Sequence, residues 1–375
     1  MKKIVSLFAK GNPLYQMLND RAAKYALEKG LAYEWVPMDP FTPEKAAAAL
    51  KEADAGIIDV EPYDKEIFSQ ICDRTKLLIR FGVGFDAVNL ADATAYGIKV
   101  ARTQGANAGA VAEDALLMMM ALRRKLNQGQ VGVKTGNWVK EIGHETIGAT
   151  VGILGFGAVG KTLARLLRGF GCRILAYDTY HDETAAAELG VEFVDADTIF
   201  QTCDAISIHL ALNDATRGYV NAERLAMMKP DAVIVNTARG PLVDDEAMVA
   251  ALKNHQIGGA GLDVFAEEPL PVTSPYIGLD NVILTPHVAS STVESLWNIY
   301  AMAIDVAYDF FHGTESAQTK RCWLNCVGGA PCFTMSFPCT IAMISAVRHL
   351  RPPFPSCVGR ISPSLTRANI PYAPA

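Results

Sequence analysis

The chain has 375 residues, half of them hydrophobic, with 34 Lys and Arg against 40 Asp and Glu and a formal net charge of -6. That is enough apolar material for two compact domains, and the acidic balance argues against nucleic acid or an anionic membrane surface as the main partner. No stretch is long and apolar enough to span a bilayer, and Lys10 interrupts the first apolar run too early for a secretory signal, so the expected address is the cytoplasm.

Short strand-like runs fall at 4–8, 56–59, 77–79, 151–154, 173–177, 205–209, 232–236, 261–264 and 282–285. Helix-length segments such as 161–170 and 246–254 lie between them. This alternation predicts an α/β protein whose parallel sheets are covered on both faces. Two longer helices are expected at 108–126 and 292–311, the first rich in small and apolar residues. One would enter and one leave a middle domain, making it an insertion in a first domain built from both ends of the chain. Beyond residue 320 the pattern stops. The segment 321–375 is rich in Cys, Pro, Ser and Gly and is expected to hold little fixed structure. A functional extension, an inert tail and an altered reading frame all stay open. Cys72, Cys172 and Cys203 read as small buried hydrophobes, and no cysteine spacing gives a zinc pattern.

The sharpest motif is Gly155-Phe156-Gly157-Ala158-Val159-Gly160, between the run 151–154 and a helix expected to open at Lys161. Gly155 permits a tight turn, Gly157 lets the backbone approach a pyrophosphate, and Gly160 lets helix and strand pack closely. The helix N-terminus offers free N–H groups to the phosphates. The next strand ends at Asp178, at the distance expected of an acid that binds the adenosine ribose. A carboxylate there would repel a 2′-phosphate, which favours NAD over NADP.

Three further residues follow expected strands: Arg239 in NTARG, Glu268 in DVFAEEP and His287 in LTPHVA. Reducing a 2-keto acid requires a hold on its carboxylate, for which the Arg fork is suited, and a proton for the carbonyl oxygen, for which His is suited. A carboxylate beside the His would orient it and favour its protonated form. Singly, Arg239 reads as a surface ion pair, Glu268 as a solvated acid and His287 as a strand-end side chain. Together, downstream of the glycine turn, they read as a catalytic set.

The ordered stretches RFGVGFDAVN at 80–89, NAGAVAED at 107–114, GILGFGAVG at 152–160, NTARGPLVDDEAMVAAL at 236–252, GAGLDVFAEEPL at 259–270 and LTPHVA at 284–289 resemble the D-isomer-specific 2-hydroxyacid dehydrogenase family. That family includes D-3-phosphoglycerate dehydrogenases. The resemblance implies a catalytic Arg239, Glu268 and His287, with Glu268 preferred over Glu267 because the family acid directly precedes the proline. It implies that the backbone at Val83 and Gly84 receives the substrate carboxylate and that Asn107 lies close to substrate. It places Asp263 at the nicotinamide carboxamide, Thr237, Ala238 and Arg239 along the nicotinamide, and His209 near the adenosine half. Ala211 stands where the family usually has Pro, which bears only on loop shape.

Family members that act on phosphoglycerate commonly carry a basic residue after the third strand, where this chain reads Ile58-Asp59-Val60-Glu61-Pro62. Arg80 or Lys10 could replace it, but a solvated surface role is expected for both. The expectation is therefore an NAD-dependent oxidoreductase interconverting a small D-2-hydroxy acid and its 2-keto acid, with no nucleic acid or membrane partner. The alternatives are D-3-phosphoglycerate dehydrogenase itself, or an NADH-sensing corepressor-like binding protein. The expected architecture is two Rossmann-like or flavodoxin-like domains. Residues 1–101 with 288–320 would bind substrate and 102–287 would bind NAD. A homodimer is expected, with the helix at 108–126 as its interface.

Overall fold

The computed structural model describes residues 1–8, 13–314 and 316–325, so Lys10 and residues 326–375 lie outside the described residues. The first sheet has five parallel strands: β1 (Lys2–Ser6), β2 (Leu31–Trp35), β3 (Ala55–Ile58), β4 (Leu77–Arg80) and β5 (Lys99–Arg102). Their spatial order is β2-β1-β3-β4-β5, the flavodoxin-like arrangement. Its helices are α1 (Pro13–Glu28), α2 (Pro43–Lys51), α3 (Lys65–Ile71) and α4 (Leu90–Ala95). Local chemistry starts them: the Thr42 side chain caps α2, with Pro43 in its first turn, and Asp64 caps α3.

A second group of helices comprises α5 (Ala108–Arg123), α6 (Leu126–Lys134), α7 (Ala158–Leu167), α8 (Glu183–Leu189), α9 (Ala196–Thr202), α10 (Ala222–Met227) and α11 (Asp245–Lys253). With them goes a seven-stranded parallel sheet: β6 (Thr150–Leu154), β7 (Arg173–Tyr177), β8 (Val191–Phe193), β9 (Ala205–Ile208), β10 (Val233–Asn236), β11 (Gly259–Leu262) and β12 (Val282–Leu284). The order β12-β11-β10-β9-β6-β7-β8 is a Rossmann sheet extended by one strand, and the strand order reverses between β6 and β9. Neighbouring side chains of one strand serve opposite faces. Val233 and Val235 pack under α5 and α7, whereas Ile234 packs under α9 to α11. Burial on both faces is why these strands read as unbroken apolar runs.

The last helix, α12 (Val293–His312), returns to the first sheet. Leu296, Ile299, Tyr300 and Ala303 share one core with Ile4, Leu18, Ala22 and Ile79. The first lobe is thus built from both ends of the chain, around the second. The expected tail does not begin at 321. Cys322 is fully buried in that same core, Trp323 bridges Ala101, and Leu324 donates to the Val100 carbonyl at 2.9 Å, so the chain stays on the edge of β5 through Asn325.

The expected helix 108–126 is also corrected. It breaks after Arg123, and Lys125 takes a left-handed conformation, φ 48. The Arg123 carbonyl accepts from His144 N at 2.7 Å, and its guanidinium, 8% exposed, donates to the carbonyls of Asp204 and Glu145. A distant loop therefore ends the helix. Strand 261–264 in fact runs Gly259–Leu262, and β2, β5 and β8 were not expected. Among the described residues, no helix is long and apolar enough to cross a membrane.

Candidate active site

The expected glycine turn joins β6 to α7, with Gly157 as the cap residue, so the helix opens at Ala158 rather than Lys161. Gly155 has φ +102, which L side chains rarely adopt, and a Cβ on it would sit 2.5 Å from the His209 carbonyl. A Cβ on Gly160 would overlap the Gly155 carbonyl, so the helix packs directly on the turn. Gly157 faces open space, with nothing within 4 Å of its Cβ position. The N–H groups of the first turn of α7, including Ala158, Val159 and Gly160, have no partner within the helix.

Asp178 follows β7 directly. Its Oδ2 accepts from Phe156 N at 2.7 Å and its Oδ1 from Tyr180 N at 3.1 Å, which fixes the carboxylate beside the turn. Open space over Gly157, unpaired donors and an anchored acid together fit a dinucleotide. The Thr237 hydroxyl, buried without a partner after β10, adds a polar atom with its hydrogen bonding unmet. His209, after β9, turns its ring back to Ser207, with Nε2 and Oγ 2.9 Å apart. Burial pushes its pKa down to about 4, so the ring is neutral.

His287 follows β12 and takes a left-handed conformation, φ 53. Such a conformation costs of order 1–3 kcal/mol outside glycine, so something must hold it. Asp263 does. Its carbonyl accepts from His287 N at 2.9 Å, and its carboxylate accepts from Thr285 Oγ1 at 2.6 Å, Val288 N at 2.8 Å and Ala289 N at 2.9 Å. Asp263 has no exposed surface, and its carboxylate is turned into the His287 loop. The imidazole Nδ1 lies 2.7 Å from Glu268 Oε2. An ionised carboxylate only accepts, so Nδ1 carries a proton and Nε2 is left for other chemistry. Glu268 is itself held, its Oε1 accepting from Phe265 N at 2.9 Å.

Arg239 stands on the turn after β10, shaped by Asn236, which the sequence reading passed over. The Asn236 side chain, 1% exposed, donates to the Arg239 carbonyl at 2.9 Å and accepts from Ala238 N at 3.0 Å. From there the guanidinium reaches the first lobe. Its Nε donates to Asp86 Oδ2 at 2.8 Å, and a Cβ on Gly84 would overlap it, so Gly84 lies directly against Arg239.

Asp59, after β3, pairs with Arg80 at 3.5 Å. Burial pushes the Asp59 carboxyl up to about 6; Glu61 adds to this, while Arg80 and His287 oppose it. Arg80 is 8% exposed and donates to the Phe81 carbonyl, so it has no solvated surface role. It lies within electrostatic reach of Arg239, with its charge matched by Asp59. Around the start of α5, the Asn107 Oδ1 and Asp114 Oδ2 atoms are buried without partners. Burial and the nearby Asp263 raise the Asp114 carboxyl to about 6. Asp86, Asn236 and Asp114 lay inside motifs quoted from the sequence, but nothing local marks their partners. Arg239 and Asp86 are 153 positions apart.

Residues 116–289 match the family model described as D-isomer specific 2-hydroxyacid dehydrogenase, NAD binding domain. The chain is 34% identical over 286 residues to a glyoxylate reductase of Korarchaeum cryptofilum, covering 74% of this chain and 86% of that protein. It is 41% identical over 224 residues to a hydroxypyruvate reductase of Thermotoga maritima, covering 59% and 72%. It is 40% identical over 268 residues to a D-3-phosphoglycerate dehydrogenase of Synechocystis, but that match spans 68% of this chain and only 48% of the relative. The fold superposes on the D-lactate dehydrogenase of Escherichia coli with TM-score 0.70 at 31% identity, covering 85% and 99% of the two chains. On a D-2-hydroxyisocaproate dehydrogenase the TM-score is 0.74 at 25% identity, covering 84% and 98%. Agreement over this much of both chains, in sequence and in the nesting of one sheet within the other, is kinship: the chain belongs to the D-isomer specific 2-hydroxyacid dehydrogenase family, as an NAD-dependent enzyme with its NAD-binding domain set inside a split substrate domain.

Proposed function

We propose that this enzyme reduces a small, unphosphorylated 2-keto acid, of the glyoxylate or hydroxypyruvate kind, to the D-2-hydroxy acid. The observation that carries the reading is the His287–Glu268 pair at 2.7 Å, together with an arginine that reaches Gly84 of the other lobe. Gly155 to Gly160, Asp178 and Thr237 would hold NADH, which when bound supplies the hydride. Arg239 and the Val83–Gly84 backbone hold the carboxylate and so orient the keto group. His287 Nε2 holds the proton that neutralises the carbonyl oxygen as charge develops there. Glu268 keeps the ring oriented, its Oε2 2.7 Å from Nδ1, so that Nε2 faces the reaction. Asp263 keeps the loop, and with it Nε2, in place.

The substrate class follows from the opposite wall. Asp59 and Glu61 supply two carboxylates there, and Arg80 offsets one of them. A phosphate ester would meet net repulsion, whereas a hydrogen or a hydroxymethyl group would not. The test is NADH oxidation against glyoxylate, hydroxypyruvate, pyruvate and phosphohydroxypyruvate. Turnover of the first two, with phosphohydroxypyruvate at least about tenfold poorer in kcat/KM, is expected from one uncompensated charge. Phosphohydroxypyruvate as the preferred substrate would overturn the substrate class. No turnover by protein that binds NADH would overturn the enzymatic reading.

The reading includes a homodimer. From Leu117 on α5 through Leu126, Val133, Trp138, Ile142 and Ile147, the second lobe exposes a run of large apolar side chains. A run of this kind favours a covered surface. Sedimentation equilibrium should give twice the chain mass, and Trp138→Glu with Ile142→Glu should shift it to the monomer. A monomeric wild type would remove the dimer.

A further inference from the structure

The loop after β4 brings one carboxylate across the crevice, and its effect on Arg239 is specific. Asp86 Oδ2 accepts from Nε at 2.8 Å, while Nη1 donates to the Ala238 carbonyl at 2.7 Å. Nη2 has no partner among the described residues, and it is the atom nearest the Cβ position of Gly84. A guanidinium presents two bidentate edges, Nε with one Nη nitrogen and the two Nη nitrogens together. Asp86 takes the Nε position, which leaves the Nη edge for a second carboxylate.

We propose that Asp86 is a positioning residue for substrate: by holding Arg239 Nε from the opposite lobe, it turns the free Nη2 toward the Val83–Gly84 backbone and decides which edge receives the substrate carboxylate. This rests on the reading of Arg239 as the carboxylate clamp. The pair is part-exposed, at 28% and 48% for the two side chains, and such pairs add little to folding stability. Its consequence therefore lies in orientation. The carboxylate also stands within electrostatic reach of the buried Arg80, where it opposes the effect of burial on that guanidinium.

The test uses oxamate, a non-reacting carboxylate analogue of a 2-keto acid, titrated into the NADH complex and followed by NADH fluorescence. Asp86→Ala should weaken oxamate about tenfold, the effect of one misplaced charge-assisted hydrogen bond. It should raise KM for the keto acid alike, with a much smaller change in kcat and unchanged NADH affinity. Asp86→Asn should recover most of the loss, because its amide oxygen still accepts from Nε. In an Arg239→Ala background, Asp86→Ala should add nothing. Wild-type oxamate affinity in Asp86→Ala, with Arg239→Ala still impaired, would overturn the proposal and leave the clamp standing. Tighter oxamate would make Asp86 a competitor and overturn it as well. NADH affinity lost in Asp86→Ala would mark a structural role. An Arg239→Ala variant that binds oxamate normally would remove the clamp itself, and the proposal with it.

Discussion

Replacing His287 with Asn is expected to lower kcat roughly a thousandfold or more and to leave NADH affinity within about twofold of wild type. Asn is the informative choice for two reasons. It tolerates the left-handed backbone that His287 adopts at φ 53, so the substitution adds little strain. Its amide can also donate to Glu268 Oε2, so the neighbouring loop keeps its hydrogen bond. What Asn cannot do is give up a proton near neutral pH. The loss in rate is therefore assigned to proton transfer and not to misfolding. Stopped-flow reduction of the keto acid, with NADH titration as the control, makes the measurement. A variant that keeps more than about a tenth of wild-type kcat would rule out His287 as the proton donor.

Arg239→Lys is expected to lower kcat/KM for the keto acid about a hundredfold, or ~2.7 kcal/mol in transition-state stabilisation. Lysine keeps the charge but loses the planar fork. It also loses the geometry that lets one side chain serve Asp86, the Ala238 carbonyl and the Gly84 side of the crevice together. The loss should appear for every 2-keto acid in a panel, because the carboxylate is their common group. NADH affinity should hold, since the turn proposed to seat the phosphates, Gly155 to Gly160, is untouched. Steady-state kinetics on two keto acids decide it: equal wild-type efficiency on both would remove Arg239 from carboxylate binding.

The two lobes differ in how their edges could be read. Central strands such as β9 and β10 are apolar at nearly every position, because helices cover both faces of the sheet. The strands that went unexpected, β2, β5 and β8, carry sequences such as LAYEW, KVAR and VEF, with polar or half-exposed positions. They are strands because a neighbour pairs with them, and pairing is not written in their own pattern. The strand ending at Leu262 shows the same limit. Val264 continues the apolar run, but Asp263 has left the sheet to hold the His287 loop.

By itself the sequence determined the class of fold and pointed to the glycine turn with its following acid and to Arg239, Glu268 and His287 as candidates. Each rests on short-range constraints: periodicity, a positive φ, a helix packed on a strand, or a side-chain type suited to one chemical task. Only the tertiary structure decided that Glu268 and His287 meet at 2.7 Å, that Asp263 supports the loop from behind, and that Asp86 reaches Arg239 from the other lobe. The same holds for the end of α5, stopped by a carbonyl bonded to His144 in a chain with no proline or glycine at the break, and for Cys322, buried in the first core. The reason is common to all of them. Each is a contact between segments far apart in the chain, and its energy depends on where two surfaces meet, which no local pattern of residues encodes.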